Sequence, residues 1–181
     1  MKSVLISVQP YWVFLIIART MGWNVEREKT VEVRKNFPKG SDWNKTTRIY
    51  CSKDKKSFSK IPKEYQSFME RFLGKVIGEF ICDEVYFRNC DLHDYDTITL
   101  EELSELSCVS EDDLLKYADK GNLYGWSIAN LVIYDKPKDL SEFQTECKGG
   151  CDFPYVYEPP CKNCGKDKLK RPPQSWLYIK E

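Results

Sequence analysis

Hydrophobic and polar residues alternate over short runs in some parts of this chain and recur at helical spacing in others. Ser3 to Val8 is short, β-branched and alternating, which predicts a strand. Tyr11 to Met21 is a dense apolar run of helical length, preceded by Pro10 where a helix tolerates proline, at its first position. Lys29 to Lys35 alternates strictly, so Val31 and Val33 face one way and Thr30, Glu32 and Arg34 the other. Thr47 to Ser52 is a third strand, after the loop Asn36 to Lys45 with its Pro38 and Gly40. The polar stretch Lys53 to Ser59 predicts a mobile connection. Pro62 to Leu73 places Tyr65, Phe68, Met69 and Phe72 on one helical face, and Lys75 to Phe87 reads as one long strand. Thr99 with Glu102 forms a capping-box signal, and Ser110 opens a second helix with an acidic first turn that stops at Gly121. Tyr124 to Tyr134 is the next strand, Asp139 to Phe143 one helical turn, and Ser175 to Ile179 a closing strand.

About six strands with irregular helical insertions predict an α+β fold, a small mixed barrel better than a doubly wound sheet. The chain reads as one domain over 1–181, with a helical insertion at 99–121 and a cysteine-bearing insertion at 145–171 before the last strand.

Composition narrows the function. Of 181 residues 41% are apolar and 14% aromatic, which excludes a disordered chain. The 28 basic residues balance 28 acidic ones, which excludes a uniformly basic nucleic-acid coat. The charge is nevertheless segregated. Residues 29–75 hold 13 Lys/Arg against five Asp/Glu, a net of +8, and residues 79–119 hold two against 13, a net of −11. Such a basic segment is either a footprint for phosphates or the neutralising partner of the acidic one. No apolar run is long enough to span a bilayer. Val4 to Ala18 is interrupted by Ser7, Gln9 and Pro10 and lacks a cleavage site, so it reads as core and not as a signal peptide. A cytoplasmic location and no membrane partner are therefore expected, with the eight cysteines reduced or metal-bound.

Four of those cysteines, Cys147, Cys151, Cys161 and Cys164, have the spacing C-x3-C-x9-C-x2-C. Two close pairs can converge on one tetrahedral ion, and four thiolates favour Zn2+ with no open position, hence a structural site. The other reading is four thiols or disulfides in a loop. Cys51, Cys82, Cys90 and Cys108 are scattered among apolar positions and read as small core residues. His93 is the only histidine and stands far from any nucleophile signature, which argues against Ser-His-Asp and Cys-His enzymes. Zincin, P-loop and Rossmann signatures are missing.

Lys29-Thr30-Val31-Glu32-Val33-Arg34, after a strand and a helix, resembles the K-x-x-E-x-R motif of ASCH domains, members of the PUA-like superfamily. Ser7-Val8-Gln9-Pro10, Ile49-Tyr50-Cys51-Ser52 and Gly74 to Phe80 are similar to the family's first, third and following strands. Leu123 to Trp126 and Pro173 to Trp176 resemble late strands of bacterial and phage-borne members. Two features depart from the pattern: Gly22 lies seven residues before Lys29, a longer connection than usual, and Ser127 stands where histidine is common. The resemblance implies a PUA-like pseudo-barrel with a cleft beside the first strand–helix junction, where related domains hold RNA or a modified base. Some small relatives hydrolyse acylated cytidine with a lysine, a threonine and a glutamate, and others are ribonucleases. Lys29 matches the motif lysine, but the threonine position is Glu32 here.

Read chemically, Arg34 offers a planar fork to phosphate or a base edge. Glu32 can accept from an exocyclic amine, and Lys29 supplies a point charge or, if desolvated, a base. Trp126, with Tyr11 or Trp12, can stack a base, and Gln9, Ser52 and Lys53 are further candidates. Against this, Glu32 and Arg34 can be an exposed pair, and Trp12, inside an apolar helix, reads first as core. The expected function is a nucleic-acid-binding module that recognises RNA or a modified nucleotide in a basic cleft. The alternative is a small amidohydrolase or ribonuclease with Lys29 and Glu32 as its catalytic residues.

Overall fold

The alternating run at the start of the chain forms β1 (Lys2–Val8), and the apolar run after Pro10 forms α1 (Pro10–Ile17). The structure is a computed structural model and describes residues 2–38, 45–91, 96–145 and 168–180. Every residue of α1 from Val13 to Ile17 is buried. A helix that is apolar all round belongs in the middle of a core. It packs there with Val4, Ile6 and Val8 of β1, and the same cluster takes in Ile49, Ile77, Phe80 and Trp126.

β2 (Val31–Arg34), β3 (Lys45–Cys51), α2 (Lys55–Phe58), α3 (Lys63–Glu70), β4 (Lys75–Cys82) and β5 (Val85–Asn89) follow. Then come α4 (Leu100–Ser107), α5 (Glu111–Ala118), β6 (Asn122–Ser127) and β7 (Ala129–Asp139). A single 3-10 turn at Leu140–Glu142 leads to β8 (Gln144–Thr145), and β9 (Trp176–Lys180) closes the described chain. The larger sheet has the order β7-β4-β3-β1-β9-β8, the smaller β2-β6-β5. Only β1 and β3 pair in parallel; the other pairs are antiparallel.

The α+β class stands, but among the described residues nine strands in two sheets replace the expected six or so. Two runs that read as single strands each cross between sheets: Lys75 to Phe87 is β4 and β5, and Tyr124 to Tyr134 is β6 and β7. One hydroxyl fixes both crossings. Ser127 Oγ accepts from the backbone N–H of Asp83 (3.1 Å) and Glu84 (2.9 Å) and donates to the Asp83 carboxylate (2.6 Å). Beside it the Ile128 N–H donates to the Thr30 carbonyl. Hydrophobic alternation does not register such a corner, because the pattern continues through it.

The polar segment 53–59, expected to be mobile, is ordered as α2. Asp54 caps it by accepting from the Ser57 N–H, and Ser57 Oγ in turn accepts from the Tyr11 N–H, an otherwise unpaired donor in the first turn of α1. The capping box of Thr99 and Glu102 is present in α4 as its sequence predicts. α4 and α5 bury Leu103, Leu114 and Ala118 against Val31, Val33 and Leu123, a second small core.

Cys51 and Cys82 are buried, and burial pushes their thiols up to about 12 and about 11, so neither is a thiolate at neutral pH. Cys147, Cys151, Cys161, Cys164 and His93 lie outside the described residues, as does most of the 145–171 insertion. Among the described residues no cluster could hold a metal ion. None of their helices is long and apolar enough to cross a membrane.

Gly78 marks the closest approach in the larger sheet. It sits where the β4–β7 register shifts, and a Cβ there would collide with the Val132 carbonyl oxygen of β7. Gly78→Ala is expected to lower stability by about 1–3 kcal/mol, as overpacking does. The check is a fall in the urea midpoint at constant slope; an unmoved midpoint refutes the packing argument.

Candidate functional site

β2 is short and pairs only with β6 among the described strands, yet all four of its residues are buried. Its alternation explains how. Val31 and Val33 join the core under α4 and α5, while Glu32 and Arg34 face the C-terminal end of β1. Lys29, just before the strand, joins them. The relative exposures of 3% for Lys29, 6% for Glu32 and 8% for Arg34 exclude an exposed surface pair.

Glu32 bridges the two cations. Its Oε1 lies 2.8 Å from Arg34 Nη2 and its Oε2 3.3 Å from Lys29 Nζ. Arg34 Nη2 also donates to the Ser7 carbonyl at 2.7 Å, and Lys29 Nζ to the Ser107 carbonyl at 2.9 Å. Ser107 ends α4, where the helix dipole favours a positive charge. The ring of Trp12 lies 5.3 Å from Lys29 Nζ, within cation–π range. Burial holds the Lys29 ammonium below its ordinary pKa, with Glu32 opposing the shift.

The group is not fully satisfied. Arg34 Nε and Ser52 Oγ are buried without a hydrogen-bond partner among the described residues. Glu32 Oε2 is within ion-pair range of Lys29 but lacks a hydrogen bond of good geometry. Buried ions cost several kcal/mol each in desolvation, and well-packed apolar residues are often as stable or more so. Stability alone therefore does not account for three charges here.

They form the floor of a cavity of about 600 Å³, within the range of small-molecule sites. Ser7, Val8 and Gln9 contribute one side, and Trp12 of α1 a flat wall. Ser52 and Asp54 come from the β3–α2 connection, Asp113, Leu114 and Tyr117 from α5, and Pro173 and Gln174 from the approach to β9.

Of the residues expected from sequence, Gln9, Lys29, Glu32, Arg34 and Ser52 line the cavity. Three do not. Trp126 is 1% exposed, held edge-to-face against Phe37 at 5.5 Å, because β6 is the central strand of its sheet and this side chain faces the core. It cannot stack a ligand. Tyr11 packs against Trp12 at 5.1 Å, and Lys53 is exposed with its stem over Gly74. Trp12, which reads first as core, is half-buried and supplies the cavity's aromatic wall. Asp54, Asp113 and Tyr117 have no site signature in sequence; both aspartates look like helix-start residues, which they also are. The cavity thus holds two cations and three carboxylates, so the expected basic cleft is corrected to a charge-mixed one.

The lowered pKa of Lys29 gives a sign that can be tested. The unfolded chain keeps this proton up to the ordinary value of 10.5, and the folded protein releases it earlier. Between those two pKa values the unfolded state binds more protons, so the Lys29 contribution to stability rises with pH. The unfolding free energy of the wild type minus that of Lys29→Met is expected to climb as pH rises from the folded pKa toward the unfolded value. Parallel urea titrations of both proteins measure it, and a flat difference overturns the assignment.

No family model matches the chain, and no curated protein matches it. Solved structures do. A substituted form of the ASCH protein of Zymomonas mobilis superposes with a TM-score of 0.52 at 14% identity, covering 99% of this chain and 89% of that one. A second substituted form gives 0.50 at 14% identity, covering 100% and 92%. The unsubstituted protein also gives 0.50 at 14% identity, covering 99% and 88%. At this identity the likeness is one of architecture: the chain shares the ASCH fold over essentially its whole length.

Proposed function

We propose that this chain is a nucleic-acid-binding module that takes one base of RNA, or a modified nucleotide, into the cavity over Lys29, Glu32 and Arg34. One observation carries the reading: a buried Lys–Glu–Arg group, with polar atoms left unpartnered, floors a 600 Å³ cavity that has a tryptophan wall. Nucleobases present donors and acceptors on one planar edge and a π-face on either side. Glu32 Oε2 is placed to accept from an exocyclic amine, Arg34 and Ser52 to donate to a ring nitrogen or carbonyl, and Trp12 to cover a face. The fit is poorer for a phosphate. Glu32 offsets one of the two cations, and Asp54 and Asp113 bring the described lining to a net negative charge.

Burial of Lys29, which lowers its pKa and so eases loss of its proton, favours a second reading, hydrolysis of an acylated exocyclic amine with Lys29 as the base. One experiment separates the two. The protein is equilibrated with nucleosides from fully digested cellular RNA, and the retained fraction is analysed by mass spectrometry. The expected outcome is selective retention of one nucleoside class, weakened tenfold or more in Glu32→Gln and by about 1–3 kcal/mol in Trp12→Ala. Equal retention by wild type and Glu32→Gln refutes the base-reading site. Release of cytidine from N4-acetylcytidine, abolished in Lys29→Met, would establish the hydrolase instead.

We also propose one structural Zn2+ held by Cys147, Cys151, Cys161 and Cys164, on the strength of their spacing. Elemental analysis is expected to return about one zinc per chain, and none after Cys161→Ser with Cys164→Ser. A zinc-free wild-type protein purified without chelator rules it out.

A further inference from the structure

Tyr117 has no part in the base-reading site, yet it lines the same cavity from α5. At 41% exposure it is the only exposed aromatic residue among those described. Among the described residues its ring meets no other ring and its hydroxyl makes no hydrogen bond. What holds it is Lys35, whose Nζ lies 5.2 Å from the ring centroid, within cation–π range. Lys35 is exposed and does not itself line the cavity, so the ring keeps a face for something else.

The two aromatic residues of the described lining stand apart. Trp12 lies 5.3 Å from Lys29 Nζ, and Tyr117 is held at Lys35. These lysines flank β2, with Glu32 and Arg34 between them in the chain. They are six residues apart, a backbone span of up to about 20 Å. Two faces that sandwich a single base are only about 7 Å apart, twice the stacking distance. One ring at each end of the Glu32–Arg34 row therefore suits two bases better than one. The cavity of about 600 Å³ has the size of a site for a drug-sized ligand, which is larger than a lone base.

We infer that Tyr117 is a second stacking site and that the ligand is at least two consecutive nucleotides of an unpaired strand. One base is read by Lys29, Glu32 and Arg34 against Trp12, and its neighbour stacks on Tyr117. The inference rests on the base-reading site proposed above and extends its ligand by one nucleotide. Stacking asks only for a π-face, so the second position tolerates any base. The linking phosphate brings a negative charge. Asp113, one turn before Tyr117 on the same face of α5, opposes that charge, and Lys35 at the Tyr117 ring offsets Asp113.

The test uses the full chain and two digests of the same cellular RNA, one run to nucleosides and one stopped at dinucleotides. The protein is equilibrated with both together, and the retained fraction is analysed by mass spectrometry. The wild type is expected to retain dinucleotides over the matching nucleosides by about five- to 150-fold, the usual worth of one stacked base. Tyr117→Ala and Tyr117→Leu are expected to bring that ratio close to one, and Tyr117→Trp, which restores a π-face, to keep it. Trp12→Ala is expected to weaken retention of both ligands.

A wild type that retains nucleosides as well as dinucleotides overturns the second stacking site. So does a ratio that Tyr117→Ala leaves unchanged, including the case in which both ligands weaken together, which places Tyr117 on the same base as Trp12. In either case the base-reading site stands as long as Glu32→Gln loses nucleosides. If Glu32→Gln retains nucleosides as the wild type does, while the ratio still depends on an aromatic ring at position 117, the base-reading site falls and the stacking site stands. Retention of neither digest removes both.

Discussion

A carboxylate held out of water between two cations is the constraint on which this site depends. Glu32 pairs with Arg34 and Lys29 at 2.8 and 3.3 Å, with all three side chains at least nine-tenths buried. Removing Glu32 leaves two uncompensated cations in a poorly solvated place, which is far more damaging than never having built the group. The chain therefore spends backbone acceptors on it. Arg34 is tied to the Ser7 carbonyl of β1 and Lys29 to the Ser107 carbonyl that ends α4. These two bonds draw the end of the larger sheet and the end of the helical insertion together around β2, and the cavity is the space left between them.

Alternation makes this possible: β2 shows Val31 and Val33 to the helical pair on one face and Glu32 and Arg34 to the end of β1 on the other, at the edge of the small sheet. The corner at Ser127 is what separates the sheets. Its hydroxyl satisfies two backbone donors that a continuous strand would have paired with a neighbour.

Much of this was legible in the residues. Strict alternation at Lys29 to Lys35 placed Glu32 and Arg34 on one face, and the apolar run of α1 announced a central helix. Alternation could not show that both faces of β2 are covered, because burial depends on partners remote in sequence, here α4, α5 and β1. Nor could it show the breaks at Asp83 and Ile128, since a hydrophobic pattern carries through a corner. Trp12 and Trp126 are the sharpest case. Each is a large aromatic amid apolar neighbours, and only the tertiary placement makes one a cavity wall and the other a core residue. Asp54 and Asp113 were hidden by having a second, local explanation as helix-start residues.

The segregation of charge along the chain had two readings, a phosphate footprint or mutual neutralisation, and the interior of the fold shows the second. Inside, members of the basic segment are absorbed by the acidic one: Arg48 meets Glu79 at 3.4 Å, and Lys29 meets the end of α4. Outside, Lys55 and Lys56 of α2 and Glu111, Asp112 and Asp113 of α5 remain exposed. A ligand of the kind proposed gains most here if it is neutral where it sits deepest. Turned the other way, with phosphate inward, it would bring its charge toward Glu32, Asp54 and Asp113. Each such pair at 4 Å costs about 1 kcal/mol even at the dielectric of bulk water and several times that in a drier site. The base-inward orientation proposed above thus follows from the same burial of charge that floors the cavity.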